Sequence, residues 1–274
     1  MKLRFPGGKI KTLTLSYDDG VVQDIRLIEI MNKYGLKGTF NINSGGYLPE
    51  DATREKFYGR MKLSEAKELY IGSGHEVAVH TYSHPFLEKM DATEILTEII
   101  EDRKGIERDY GVIARGMAYP FGTYNDLVVD ILAKCNIAYS RTTKATLRFD
   151  LPENWLTLHP TCHHREKTLP ELMERFAERT NKWGNPMLFY LWGHSYEFDD
   201  NDNWSIIENF AERMGGREDI WYATNIEIYD YVKAYNNLQT SFDKKIVHNP
   251  NAIDIWFEAD GETVCLGSGE TIKL

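Results

Sequence analysis

Leu13-Thr14-Leu15-Ser16-Tyr17-Asp18-Asp19-Gly20 joins a short apolar run to two adjacent carboxylates and a glycine. Val77-Ala78-Val79 leads in the same way into His80-Thr81-Tyr82-Ser83-His84. A strand that delivers ionisable residues at its end is the signature of a parallel α/β sheet, whose sites form at the strands' C-terminal edge. Asp-Asp-Gly alone is common in turns, and neither DxDxDG spacing nor a later glutamate marks a calcium loop here. With two histidines four residues apart, which one turn or a tight loop can aim at a single ion, the set fits a mononuclear catalytic zinc site. Such a site takes three protein ligands and leaves a position open. One carboxylate then binds metal while its neighbour stays free as a base.

Working outward, strand runs are expected at 12–16, 37–42, 75–80, 114–119, 137–142, 156–160, 187–192 and 220–224, alternating with amphipathic helices. Asp91-Ala92-Thr93-Glu94 reads as a capping box, followed by Ile95, Ile99, Ile106 and Tyr110 at helical spacing. Leu127, Ile131 and Leu132 mark a helix that starts after Asn125. Thr168-Leu169-Pro170-Glu171 opens another, with Pro170 in the first turn, where its missing N–H costs nothing. Seven or eight strand–helix units with right-handed crossovers predict closure into a (β/α)7–8 barrel over residues 1–237. The acidic pair, the histidine pair, Tyr119-Pro120-Phe121 and His194 each fall just after a strand run, on one face. Residues 238–274, with Ile253–Phe257 and Thr263–Leu266 flanking Ala259-Asp260-Gly261-Glu262, read as a short β-rich extension packed on the barrel.

At 274 residues and 42% hydrophobic content the chain can bury a full core. Its net charge of −10 argues against nucleic acid or an anionic membrane as the partner and leaves a neutral substrate open. Cys135, Cys162 and Cys265 are too few and too scattered for a disulfide framework, and are expected as buried, reduced thiols. The first eight residues hold no apolar signal region and no stretch is long enough to span a bilayer, so the chain is expected to be cytoplasmic.

Ser16-Tyr17-Asp18-Asp19-Gly20, His80-Thr81-Tyr82-Ser83-His84-Pro85 and Ala118-Tyr119-Pro120-Phe121-Gly122 together resemble the signature blocks of the polysaccharide deacetylases, carbohydrate esterase family four. Those blocks run T-F-D-D-G, H-[ST]-x-x-H, R-x-P-[YF]-G and a late L-x-H. The resemblance covers roughly residues 10–235. It implies a distorted barrel that hydrolyses N- or O-acetyl groups on an acetylated carbohydrate with a divalent metal: zinc first, with cobalt, nickel or manganese as alternatives. It further implies Asp19, His80 and His84 as metal ligands and Asp18 as general base. The backbone N–H of Phe121 would serve an oxyanion hole, and His194 would act as general acid. Tyr119, Trp192 and Tyr196 are the expected substrate-lining aromatics.

Two positions depart from the pattern. The arginine that orients the base falls at Ala118, leaving Arg115, Arg141 and Arg148 as replacements, and Trp192 stands where the late block has leucine. Cys162-His163-His164 is expected to line a loop, since adjacent residues make awkward ligands for one ion. The departures keep one rival open, an allantoinase-type amidohydrolase acting on a small cyclic amide; the second rival is a non-catalytic carbohydrate-binding protein on a degenerate esterase scaffold. The full set Asp18, Asp19, His80, His84 and His194 speaks against the second.

Overall fold

The computed structural model describes residues 1–53, 59–178 and 184–274. In chain order its elements begin with β1 (Lys2–Arg4), β2 (Lys11–Asp18), α1 (Asp24–Lys33), β3 (Gly38–Ile42), α2 (Leu63–Tyr70) and β4 (Glu76–Val79). There follow α3 (Ala92–Tyr110), β5 (Gly116–Ala118), α4 (Asp126–Lys134), β6 (Tyr139–Arg141), β7 (Cys162–His163) and α5 (Leu169–Glu178). Next come β8 (Met187–Gly193), α6 (Tyr196–Asp200), α7 (Ser205–Met214), β9 (Ile220–Tyr222) and α8 (Asn225–Asn236). The chain ends with β10 (Gln239–Thr240), β11 (Ile246–His248), β12 (Ile255–Ala259), β13 (Glu262–Leu266) and β14 (Thr271–Lys273).

Eight strands form one curled, wholly parallel sheet in the order β6-β5-β4-β3-β2-β8-β7, with β9 paired beside the first half of β2. This is the expected distorted barrel. β2 lies at its centre and is buried along its whole length. Its period of two splits the strand chemically. Leu13, Leu15 and Tyr17 join the main apolar core with Leu27 and Met31 of α1. Thr12, Thr14 and Ser16 face the other way and hydrogen-bond the Trp221 carbonyl, Asn225 and Asn41. Asp18 continues that polar face, so the strand's own alternation carries its carboxylate inward.

The helix signals act as expected. Asp91 accepts from the N–H groups of Thr93 and Glu94, and Glu94 answers from its side chain to the Asp91 N–H. Gly111 ends α3 in the left-handed region at φ 68°. Asn125 caps α4. Leu127, however, faces solvent, and Val128 takes its place in the core beside Ile131 and Leu132.

The expected strand at 156–160 is replaced. The Asn154 side chain accepts from the Leu156 N–H and winds Trp155–Thr157 into a 3-10 turn. Pro160 has no N–H to give a ladder, and the strand begins only at Cys162. Between them Leu158 bonds Ser140 and Thr142 on the β6 edge, and Thr161 bonds Tyr190 on β8. This one segment therefore spans the seam between the two ends of the sheet.

After α8 the chain builds two small antiparallel sheets, β1-β12-β13 and β10-β11-β14. β12 and β13 turn through Asp260 and Gly261, both at positive φ, as a two-residue hairpin requires. β1 comes from the opposite end of the chain, so both termini contribute to this appendage. Cys135 and Cys162 are buried, but Cys265 is exposed, against expectation, because its side chain alternates to the outer face of β13. No helix among the described residues is long and apolar enough to cross a membrane.

Candidate active site

At the end of β2 the two carboxylates part. Asp19 turns into the left-handed region at φ 83°, a strained place for a non-glycine residue. Thr81 at 67°, His84 at 61° and Phe121 at 58° share that strain. Three loops are thus bent out of their preferred conformations around one cavity.

His80 follows β4 directly. Its Nδ1 lies 2.8 Å from the Ala118 carbonyl, which places the ring proton there and leaves Nε2 as a bare lone pair. That Nε2 is buried and has no hydrogen-bond partner among the described residues. Burial pulls the imidazole down to about 4, against the opposing pull of Asp18 and Asp19, so it stands neutral. The backbone around it is pinned from both sides. The His80 N–H donates to Asp102 Oδ2 at 2.8 Å, and Asn43 donates to the His80 and Thr81 carbonyls. Burial raises Asp102 itself to about 7.

His84 Nε2 is 3.9 Å from Asp19 Oδ1. The donor atoms of Asp19, His80 and His84 all lie within 4.8 Å of one another. Two imidazole nitrogens and one carboxylate oxygen, one of the nitrogens buried and unpartnered, make a donor set suited to a zinc-type divalent cation. Arg60, which sequence reasoning missed, bonds the Asp19 carbonyl and the Asn43 side chain and lies 3.3 Å from Asp19 Oδ1. No periodicity around Arg60 singles it out.

Asp18 belongs to a different group of contacts. Arg141 pairs with its Oδ2, and Asn41 donates to Oδ1 at 2.8 Å. Burial alone would raise this carboxyl, but Arg141, then His80, His194 and the Asn41 N–H, outweigh it and hold the pKa below the ordinary value. Arg115 instead pairs with Asp230 and Arg148 with Asp150. Of the three arginines, only Arg141 reaches the site. Its guanidinium also lies over the Trp192 ring at 4.2 Å.

His194, just past β8, stands between two carboxylates. Nε2 is 3.8 Å from Asp18 Oδ2, and Nδ1 is 3.5 Å from Glu197 Oε2. Burial opposes charge on this ring, but the Glu197 contact, with Asp18 and Asp19, prevails and raises its pKa above the ordinary imidazole value. Glu197 is a further omission of the sequence reading, although its place three residues after His194 on a short helix is a usable signal.

The cavity enclosed by these groups measures about 300 Å³ and is lined also by Tyr119, Phe121, Thr143, Trp192 and Tyr196. Tyr119 presents little beyond its ring, since its hydroxyl is committed to the Leu156 carbonyl. The Phe121 ring stands at the mouth, stacked on Phe86 at 3.8 Å and edge-on to His84. Tyr196 lies 5.2 Å from the His194 ring. The structure therefore brings all nine sequence-selected residues to one cavity or its immediate wall.

Residues 6–140 match the polysaccharide deacetylase family model. Over 136 residues the chain is 22% identical to the peptidoglycan-N-acetylglucosamine deacetylase PgdA of Listeria monocytogenes, covering 49% of this chain and 26% of that protein. Over 124 residues it is 28% identical to chitin deacetylase 1 of Cryptococcus neoformans, covering 45% of this chain and 24% of that protein. The alignments thus span about a quarter of either relative's length. A solved Mycobacterium smegmatis protein assigned to the polysaccharide deacetylases superposes with a TM-score of 0.60 at 15% identity. That likeness of fold covers 86% of this chain and 94% of the other.

Proposed function

We propose that this chain removes N- or O-acetyl groups from an acetylated oligosaccharide or glycan, using one divalent metal, zinc by preference, held by Asp19, His80 and His84. The observation that carries this reading is the placing of Asp18 and His194 on the same cavity as that donor set, 3.8 Å apart yet electrostatically opposite. A bound metal would polarise the acetyl carbonyl and make a water molecule acidic.

The chain's own groups do the rest. Asp18, kept ionised by Arg141, takes the proton from the attacking water. The Phe121 N–H, held in its strained turn, offers a donor to the oxygen that gains charge. His194, favoured in its protonated form by Glu197, gives a proton to the departing amine or alkoxide. Asp18 and His194 have pKa values pushed in opposite directions, which is how neighbouring groups divide base and acid work. Trp192 and Tyr196 offer aromatic surface for a sugar face.

Acetate release from chitin oligosaccharides, acetylated xylan and peptidoglycan fragments tests the reading, before and after chelation and after zinc is restored. Activity on at least one substrate, lost with chelator and regained with zinc, is expected. A zinc-loaded, folded chain that releases no acetate from any of them would refute it.

A further inference from the structure

A second convergence of side chains lies behind His194. His163 ends β7 and His164 begins the turn after it, so the two rings need not point to opposite sides as they would inside a strand. His163 Nε2 is 3.0 Å and His164 Nε2 3.2 Å from one atom, Glu197 Oε2. Ligand atoms around a tetrahedral zinc at about 2.0–2.1 Å stand about 3.4 Å apart, close to these separations. All three donor atoms fall within 4.8 Å of one another.

The backbone is shaped to admit this arrangement. A Cβ on Gly193 would come within 2.1 Å of His164 Nδ1, so the ring occupies space that only glycine leaves. His164 is 1% exposed, and neither of its ring nitrogens has a well-aimed hydrogen bond among the described residues. A buried imidazole without such a bond is costly unless something else takes its lone pair. The more open edge of His163, whose side chain is 22% exposed, supplies a way in.

We propose that His163, His164 and Glu197 form a second divalent-metal site, separate from the Asp19–His80–His84 set. The donor chemistry, two imidazole nitrogens and one carboxylate oxygen, selects a zinc-like cation over calcium or magnesium. Its position ties the end of β7 to α6. It also draws on the same Oε2 that faces His194 Nδ1 at 3.5 Å, so occupancy sets how firmly Glu197 holds that histidine. The proposal does not depend on the deacetylase reading.

The full chain, stripped of metal and then equilibrated with zinc in a non-chelating buffer, is desalted and its zinc counted. Two zinc per wild-type chain are expected, one each in His80→Ala and His163→Ala, and none in the double variant. In the His80→Ala background, cobalt(II) should give a visible absorption band that the added His163→Ala removes while circular dichroism is unchanged. Should His163→Ala fail to fold, Glu197→Gln keeps the side chain's shape and should weaken the second zinc by about tenfold or more. One zinc in the wild type, retained in both His163→Ala and Glu197→Gln, would overturn the proposal. One zinc retained in His80→Ala and lost in His163→Ala would uphold this site and overturn the metal assignment at Asp19, His80 and His84 instead.

Discussion

Arg141 of β6 lies directly opposite Ala118 of β5 in the parallel register, and from there its guanidinium reaches Asp18. Ala118 is the position where the family's third block carries its arginine. Paired positions on adjacent strands project to the same face, so Arg141 offers its guanidinium from one strand over, at the same height in the sheet. A cation thus stands beside the Asp18 carboxylate despite the altered motif.

If that contact sets Asp18, Arg141→Met should move the acid limb of the kcat/KM profile upward, because the carboxyl loses its main stabilising charge. Arg141→Lys should restore much of the limb. Asp18 is held below its unfolded value, so its contribution to stability is present above about pH 4 and lost as pH falls through the folded pKa. The methionine variant forfeits that contribution and leaves a buried carboxylate unpaired, at about 3–5 kcal/mol. An unchanged acid limb in a folded Arg141→Met would show that Arg141 does not act through Asp18.

Asp18→Asn separates base from ligand. Asp18 contacts Arg141 and Asn41, whereas Asp19 faces the metal donor set. The variant should therefore keep the zinc bound at Asp19, His80 and His84 while kcat falls on the order of a hundredfold or more. Zinc analysis beside steady-state kinetics decides: loss of that zinc would place Asp18 among the ligands.

Local chemistry made part of this molecule legible in the sequence. Asp18, Asp19, His80, His84 and His194 each sit at a strand end, so counting strands was enough to put them on one face. Arg141 was named only as one of three options, because strand register is a tertiary property: Ala118 and Arg141 are neighbours across a sheet, with no mark of it in either segment. Arg60 and Asp102 act through contacts with distant loops that leave no periodic trace, and only Glu197, three residues after His194, carries a local mark. The strand expected at 156–160 failed for a local reason, since Asn154 bonds the backbone and Pro160 breaks the ladder. The pairing of β1 with β12 joins opposite ends of the chain, which no window of sequence spans.

Gly193→Ala tests whether His164 is seated as firmly as its surroundings suggest. The new methyl group would overlap His164 Nδ1 at 2.1 Å, and the ring is packed against Phe198 at 4.2 Å and Tyr17 at 5.8 Å. It has little space to retreat into, so a loss of about 1–3 kcal/mol is expected in urea unfolding, as for other overpacked cores. A variant as stable as wild type would mean that the His164 ring is free to move aside.

His194 offers the sharpest test of the proposed chemistry. Two roles fit its position: an acid for the leaving group, or part of the scaffold between Asp18 and Glu197. An acid matters most when the leaving group is poor. His194→Ala should therefore slow hydrolysis of a sugar acetamide by about a hundredfold or more. It should slow an activated aryl acetate far less, because phenolate departs without a proton. The pH profile should change in a matching way. His194 titrates above the ordinary imidazole value, so wild-type activity on the acetamide should fall as pH rises through that raised pKa, and the limb should vanish in the variant. Glu197→Gln should keep the acid but move the same limb downward, since the carboxylate is what chiefly raises it. Equal slowing of both substrates in a folded, metal-loaded His194→Ala would instead place the histidine in an earlier step, stabilising the oxygen that gains charge.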